Sequence, residues 1–307
     1  KYWLWVNDEL QVSEGGLKRG PNPSDTYCDV ITSLPALRAG ENTVALLVWY
    51  FGKDGFSHRN SPTAGISFSL SCDGKEVEPD AKWRVKKHPA YYVPQGEQPN
   101  YRLAESNIGF DAVKDIPFMS PDYDDKKWKK ATEITLEKAG WNQLVDRPIP
   151  FWKDYAEAYA KTEMQGDTLL RAYLPYNAQI TPYIRLKAPA GKCIRIRTDN
   201  YRGGSATNVF AEYRTCEGEQ TFECKGWMNG HYVLYELPEG VEVLDVKYRE
   251  TGYDTSFAGS FSCDDPMLTR LWDKSQRTLY ITMRDTYMDC PDRERAQWWG
   301  DVVNELG

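Results

Sequence analysis

The sequence predicts a multidomain, mainly β chain in which two antiparallel β-sandwich domains precede the start of a helical one. Three observations carry this. Short alternating strands with turn signals fill most of the chain, a proline-rich stretch breaks the pattern near residue 150, and the apolar period changes to a helical one at residue 264.

The strands come first. "YWLWVNDELQV" alternates about an Asn7-Asp8 turn, and "LRAGENTVALLVWYFG" runs from a Gly40-Glu41-Asn42 turn into an apolar strand. "GISFSLSCDGKEVEPDAKWRV" reads as a strand, an Asp73-Gly74 turn and a second short strand. These make residues 1–150 an N-terminal sandwich. The boundary is "VDRPIPFWKD", Val145 to Asp154. Residues 151–263 form a second sandwich built from "PYIRLKAP", "KCIRIRTD", "QTFECKGW", "HYVLYELP" and "LDVKYRETGY", with turns at "PAGK", "RGGS" and "PEG". From 264 to 307 the reading is helical. Asp265 is placed as an N-cap with Pro266 at the first helical position, and Leu268, Leu271, Trp272, Leu279 and Met283 recur at helical spacing. Both ends of the sequence fall inside expected elements, so a piece of a longer polypeptide is expected.

Composition narrows the function. A net charge of -7 without a basic stripe gives no footprint for a phosphate backbone, so nucleic acid is not an expected partner. The longest apolar run, "TVALLVWYF", is far short of the ~20 residues that cross a bilayer. Eleven tryptophans and twenty tyrosines suit stacking within sandwiches or against sugar rings and turn attention to carbohydrate. Seven scattered cysteines show no metal-ligand spacing, and only Cys216 and Cys224 could face each other across a hairpin. The isolated His58, His88 and His231 read as structural. "PDYDDKKW", with Asp122, Asp124 and Asp125, lacks the glycine turn and terminal glutamate of a calcium loop. No metal and no cofactor are expected.

The chemistry concentrates in "MDCPDRERAQWWGD", residues 288–301. A helix starting near Asp292 would put Glu294, Trp298 and Asp301 on one stripe and Trp299, Val302, Val303 and Leu306 on another. Carboxylates flanking an indole suit a sugar, whose hydroxyls need acceptors and whose C–H face packs on a ring. The same residues also fit a solvated helix start whose charges complement the dipole and pair locally. A start nearer Trp298 would leave Glu294 on the loop.

"DCPDRERAQWWGD" resembles the signature of the bacterial α-L-rhamnosidases, glycoside hydrolase family 78. "RGP", "AGENTVALLVW", "IGFDAVKD", "DDKKW", "RPIPF", "PYNAQITPYIRLKAPAGK" and "FSCDDPMLTRLW" follow the family's order of segments. The resemblance implies two jelly-roll-like sandwiches followed by the first helices of an α/α six-hairpin barrel. It implies an inverting hydrolase of terminal α-L-rhamnose, acting on a rhamnose-containing oligosaccharide, polysaccharide or glycoside. Glu294 is then the general acid, its proton retained by burial beside Trp298 and by like charges on Asp289 and Asp301. Asp289, Arg293, Trp298 and Asp301 would bind substrate, with Arg293 assigned to sugar hydroxyls or a neighbouring aspartate rather than to Glu294. The base is a glutamate expected beyond residue 307, so these residues alone are expected to be inactive. Two alternatives stay open: a non-catalytic carbohydrate-binding protein, favoured if Trp3, Trp5 or Trp49 is exposed, and an α/α-barrel glycosidase for another α-linked sugar. A periplasmic or secreted location is expected. Oligomeric state is left open by the sequence.

Overall fold

The computed structural model describes residues 1–153, 155–203 and 206–306. Asp154 at the end of the expected linker, Gly204 and Ser205 of the expected Arg-Gly-Gly-Ser turn, and Gly307 lie outside them. The chain forms two compact units that do not follow chain order. The first holds residues 1–53, 59–89 and 115–148, and the second holds 54–58, 90–114 and 149–307. The last change from one unit to the other falls between residues 148 and 149, and two inner segments of the first 150 residues belong with the second unit.

In the first unit β1 (Tyr2–Val6) lies between β2 (Glu9–Gly15) and β3 (Val44–Val48) in an antiparallel sheet. The turn joining β1 and β2 has left-handed backbone at Asn7 (φ 51°) and Asp8 (φ 72°), a conformation that Asn and Asp tolerate best among side-chain-bearing residues. Trp3 and Trp5 are 2% and 8% exposed and pack with Ala45, Leu47, Phe118 and Met119. A parallel pairing of Thr26–Cys28 with Leu144–Asp146 lies beside a buried ion pair, Arg147 to Asp29 at 3.1 Å. Asp29 also accepts from the Tyr2 hydroxyl (2.8 Å) and the Gly16 amide (2.7 Å), so its charge is well hydrogen-bonded. The expected strand, Asp73-Gly74 turn and second short strand are present in shortened form, as the hairpin Leu70–Cys72 with Lys75–Val77.

The second unit is built on one ten-stranded sheet. Its strands are β4 (Tyr91–Tyr92), β5 (Ile108–Asp111), β6 (Tyr155–Ala158), β7 (Lys161–Gln165), β8 (Leu169–Ala188), β9 (Cys193–Thr198), β10 (Ala211–Arg214), β11 (Gly218–Glu223), β12 (Met228–Glu236) and β13 (Glu242–Glu250). The twenty-residue β8 organises it. Residues 169–173 pair with β7 and β12, whereas residues 183–187 pair with β13 and β11, so β8 passes from one layer into a second. β9, β10, β5 and β4 extend the first layer, and β6 extends the second. The layers meet through aromatic rings: Tyr213 of β10 stacks on Phe222 of β11 at 4.6 Å, and the Tyr235 hydroxyl donates to the Tyr183 carbonyl. Ile180, Ile184, Leu186, Ile194, Ile196 and Val233 are fully buried between them.

α1 (Pro266–Ile281) begins as the sequence predicts: the Asp265 carboxylate accepts the Met267 amide at 2.8 Å, and Pro266 occupies the first turn. Its C-terminal half is held to the sheet. Arg277 Nε donates to the Asn177 carbonyl at 2.8 Å, and Tyr280 packs so close to Gly252 that a Cβ there would lie 2.4 Å from its hydroxyl. α2 (Trp299–Leu306) is the last element. No described helix is long and apolar enough to cross a membrane.

Candidate active site in the turn between the helices

The structure corrects the expected start of the last helix. Residues 291–294 form a turn, residues 295–298 are irregular, and α2 starts at Trp299. Arg295 has left-handed backbone (φ 52°), which an α-helix does not admit, so no helix could run from Asp292 through it. The base of the turn is closed by Asp289. Its amide donates to the Ala296 carbonyl (2.9 Å), and its carboxylate accepts the Ala296 amide (2.9 Å) and the Cys290 thiol (3.2 Å). Glu294 and Trp298 therefore meet across a loop rather than along a helix face.

They do meet. The Trp298 indole N–H donates to Glu294 Oε2 at 2.8 Å. Glu294 is 9% exposed while the Trp298 ring is 46% exposed, which sets a sheltered carboxyl behind an accessible aromatic face. Glu294 Oε1 faces two guanidiniums, Arg293 at 2.9 Å and Arg102 at 3.5 Å. This overturns the expectation that Arg293 avoids Glu294. The Asp289 carboxylate is turned to the backbone of its own loop, and Asp301 is exposed on the first turn of α2, so the charges beside Glu294 are cations rather than carboxylates.

Beneath the turn lies a polar network that the sequence did not mark. Asp292 accepts from the side-chain amides of Asn208 (3.0 Å), Asn200 (3.1 Å) and Asn229 (3.5 Å). Burial, with Asp199 adding to it, outweighs these bonds and the nearby Arg295 and pushes the Asp292 carboxyl up to about 6. Arg295 is wholly buried. It donates to the Pro291 carbonyl (2.7 Å), Glu105 (3.1 Å) and Asn208 (3.2 Å), and its guanidinium lies 3.6 Å from the centre of the Trp227 ring. Arg284 reaches the same indole at 4.9 Å and Trp152 at 4.3 Å. Two buried cations on one tryptophan thus moor the turn to the sheet.

Trp3 and Trp5 are core, and Trp49 is half-buried against Phe51. His88 lies 3.6 Å from Asp115, and His231 lies 3.1 Å from Asp199. Cys216 and Cys224 are free thiols, and burial pushes Cys224 up to about 12. Among the described residues no group of three His, Cys, Asp or Glu side chains has the geometry of a metal site.

Comparison with known proteins gives the following matches. Residues 256–306 match the family model of the bacterial α-L-rhamnosidase six-hairpin glycosidase domain. The fold of 99% of the chain matches 56% of a family 78 rhamnosidase of Bacillus sp. GL1, with a TM-score of 0.86 and 16% identity. It also matches an α-L-rhamnosidase of Streptomyces avermitilis solved with L-rhamnose (TM-score 0.72, 19% identity, 98% of this chain and 31% of that one). A third match is an α-L-rhamnosidase of Dictyoglomus thermophilum (TM-score 0.70, 17% identity, 98% and 35%). The chain therefore spans little more than half of the first of these and about a third of the other two. No curated protein matches by sequence. The chain thus shares its fold with solved α-L-rhamnosidases, and its residues 256–306 resemble a glycosidase helical domain. Its similarity is to the bacterial α-L-rhamnosidases.

Proposed function

We propose that the protein releases terminal α-L-rhamnose from rhamnose-containing glycosides by an inverting mechanism in which Glu294 is the general acid. The observation that carries this is the sheltered Glu294 carboxyl hydrogen-bonded by the half-exposed Trp298 indole, within the segment that matches the rhamnosidase family. In such a reaction the acid protonates the departing glycosidic oxygen while a second carboxylate activates water on the opposite face, the two lying about 6.5–9.5 Å apart. The base is assigned to a glutamate of the helical domain beyond residue 307.

The other residues follow from their placement. Trp298 offers its face to the sugar ring or its methyl group, where a deoxy sugar presents carbon instead of a hydroxyl. The Arg293 side chain is 44% exposed, so it can turn from Glu294 to a sugar hydroxyl when substrate enters. Asp301 accepts from sugar hydroxyls, and Asp289 shares that role while bracing the turn. The substrate class is a rhamnose-bearing oligosaccharide, polysaccharide or glycoside, encountered in the periplasm or outside the cell.

Replacing Glu294 by Gln in the full-length protein tests the reading. Release of an aryl α-L-rhamnoside is expected to be lost while rhamnose still binds, and near-normal turnover would refute the assignment.

A further inference from the structure

Glu294 is approached from a part of the sequence far from its own turn. Arg102, whose Nε lies 3.5 Å from Glu294 Oε1, holds its guanidinium 4.7 Å from the ring of Tyr101 and 5.8 Å from that of Phe56. Phe56 stands edge-on to Trp298 at 5.9 Å on one side and to Tyr101 at 5.9 Å on the other. Trp298, Phe56 and Tyr101 thus form a continuous run of rings along the acid. All three are accessible, at 46%, 38% and 71%.

The backbone under these rings is rigid. The Phe56 amide donates to the Arg102 carbonyl at 2.7 Å, and Gly55 passes so close to this strip that a Cβ there would lie 2.5 Å from the Ala104 nitrogen. The Arg102 amide donates to Asn100 Oδ1, and both the backbone and side-chain amides of Asn100 donate to the Thr207 carbonyl. Leu103 and Ala104, immediately after, are 1% and 2% exposed. Exposed apolar side chains are ordinary when they stand alone. Contiguous rings on fixed backbone beside a sheltered carboxyl are the arrangement of a sugar-binding surface.

We infer that Phe56 and Tyr101 form a leaving-group subsite that takes the pyranose ring to which the rhamnose is attached. The inference rests on Glu294 acting as general acid. Such an acid stands at the bond being broken, with the released sugar on one side and its former partner on the other. Trp298 faces the first, and the rings that continue past it along the Arg102 side face the second. Arg102 acts as a positioning residue: it stacks on Tyr101 while pairing with Glu294, which ties the platform to the acid.

The test uses the full-length protein with two substrates, an α-L-rhamnosyl-glucoside and methyl α-L-rhamnoside, whose leaving group has no ring to stack. Tyr101→Ala is expected to lower the ratio of kcat/KM for the first over the second by about tenfold, the worth of a good ring contact. Tyr101→Trp should restore it. Because Tyr101 is largely exposed, its loss does not endanger the fold, and an unchanged melting temperature verifies this. A ratio that stays at the wild-type value, or a loss of rhamnose affinity in Tyr101→Ala, overturns the subsite. Wild-type turnover of both substrates by Glu294→Gln would instead overturn the underlying reading, so the two failures are told apart.

Discussion

Substituting Asp292 by Asn tests whether the network beneath the turn is buried as described. The Asp292 carboxyl is raised from 3.8 to about 6, chiefly by burial. A raised carboxyl holds its proton more tightly in the fold than in the unfolded chain. Ionising it therefore costs stability, which is complete below about pH 4 and falls until the folded group has titrated, above about pH 6. At about 1.4 kcal/mol per pH unit, the loss across this window is about 3 kcal/mol. Asn has one acceptor where Asp292 has two, and both Asp292 oxygens receive amide hydrogens from Asn200, Asn208 and Asn229. The variant thus gives up a hydrogen bond worth about 1 kcal/mol at every pH. Urea unfolding of wild type and variant from pH 4 to 7.5 separates the two effects. Their stability difference should change by about 2 kcal/mol between pH 4 and 6.5, in favour of the variant as pH rises, and then level off. A difference that does not depend on pH would refute the reasoning.

Two further substitutions probe the scaffold of the site. Arg295→Met removes a wholly buried guanidinium that donates to Glu105, Asn208 and the Pro291 carbonyl, so a loss of about 3–5 kcal/mol in stability is expected by thermal or denaturant unfolding, and an unchanged melting temperature would contradict the mooring role. Asp265→Ala removes the acceptor of the Met267 amide and should cost about 1 kcal/mol, seen as faster amide exchange in the first turn of α1; unaltered exchange there would show that Asp265 does not cap the helix.

Much of the fold was legible because its signals are local. Asp265 and Pro266 mark a helix start through capping chemistry that needs only neighbours, and Asn7-Asp8 marks a turn through its tolerance of left-handed backbone. The proline-rich stretch falls at the junction of the two units, but nothing local in residues 54–58 or 90–114 announces that they join the second. The parallel pairing of β5 with β10 joins positions about a hundred residues apart, and only the folded chain reveals it. The candidate site divides in the same way. Glu294 and Trp298 stood out by residue type, but the helical argument for bringing them together failed at Arg295, whose left-handed backbone no periodicity reports. Asn200, Asn208 and Asn229 look like turn residues in the sequence, and only their convergence on Asp292 gives them a role. Phe56, Tyr101 and Arg102 lie about two hundred residues from the motif, where an ordinary strand-and-loop composition hides them.

The account depends on Glu294 giving a proton to the leaving group, and a leaving-group series measures that step directly. In Glu294→Gln, kcat/KM should stay near wild type for an α-L-rhamnoside of an acidic dinitrophenol, which departs without a proton. The loss should grow with leaving-group basicity to about 10²–10⁴-fold for a simple alkyl rhamnoside. An equal loss for every leaving group would contradict the assignment and leave Glu294 with a structural role.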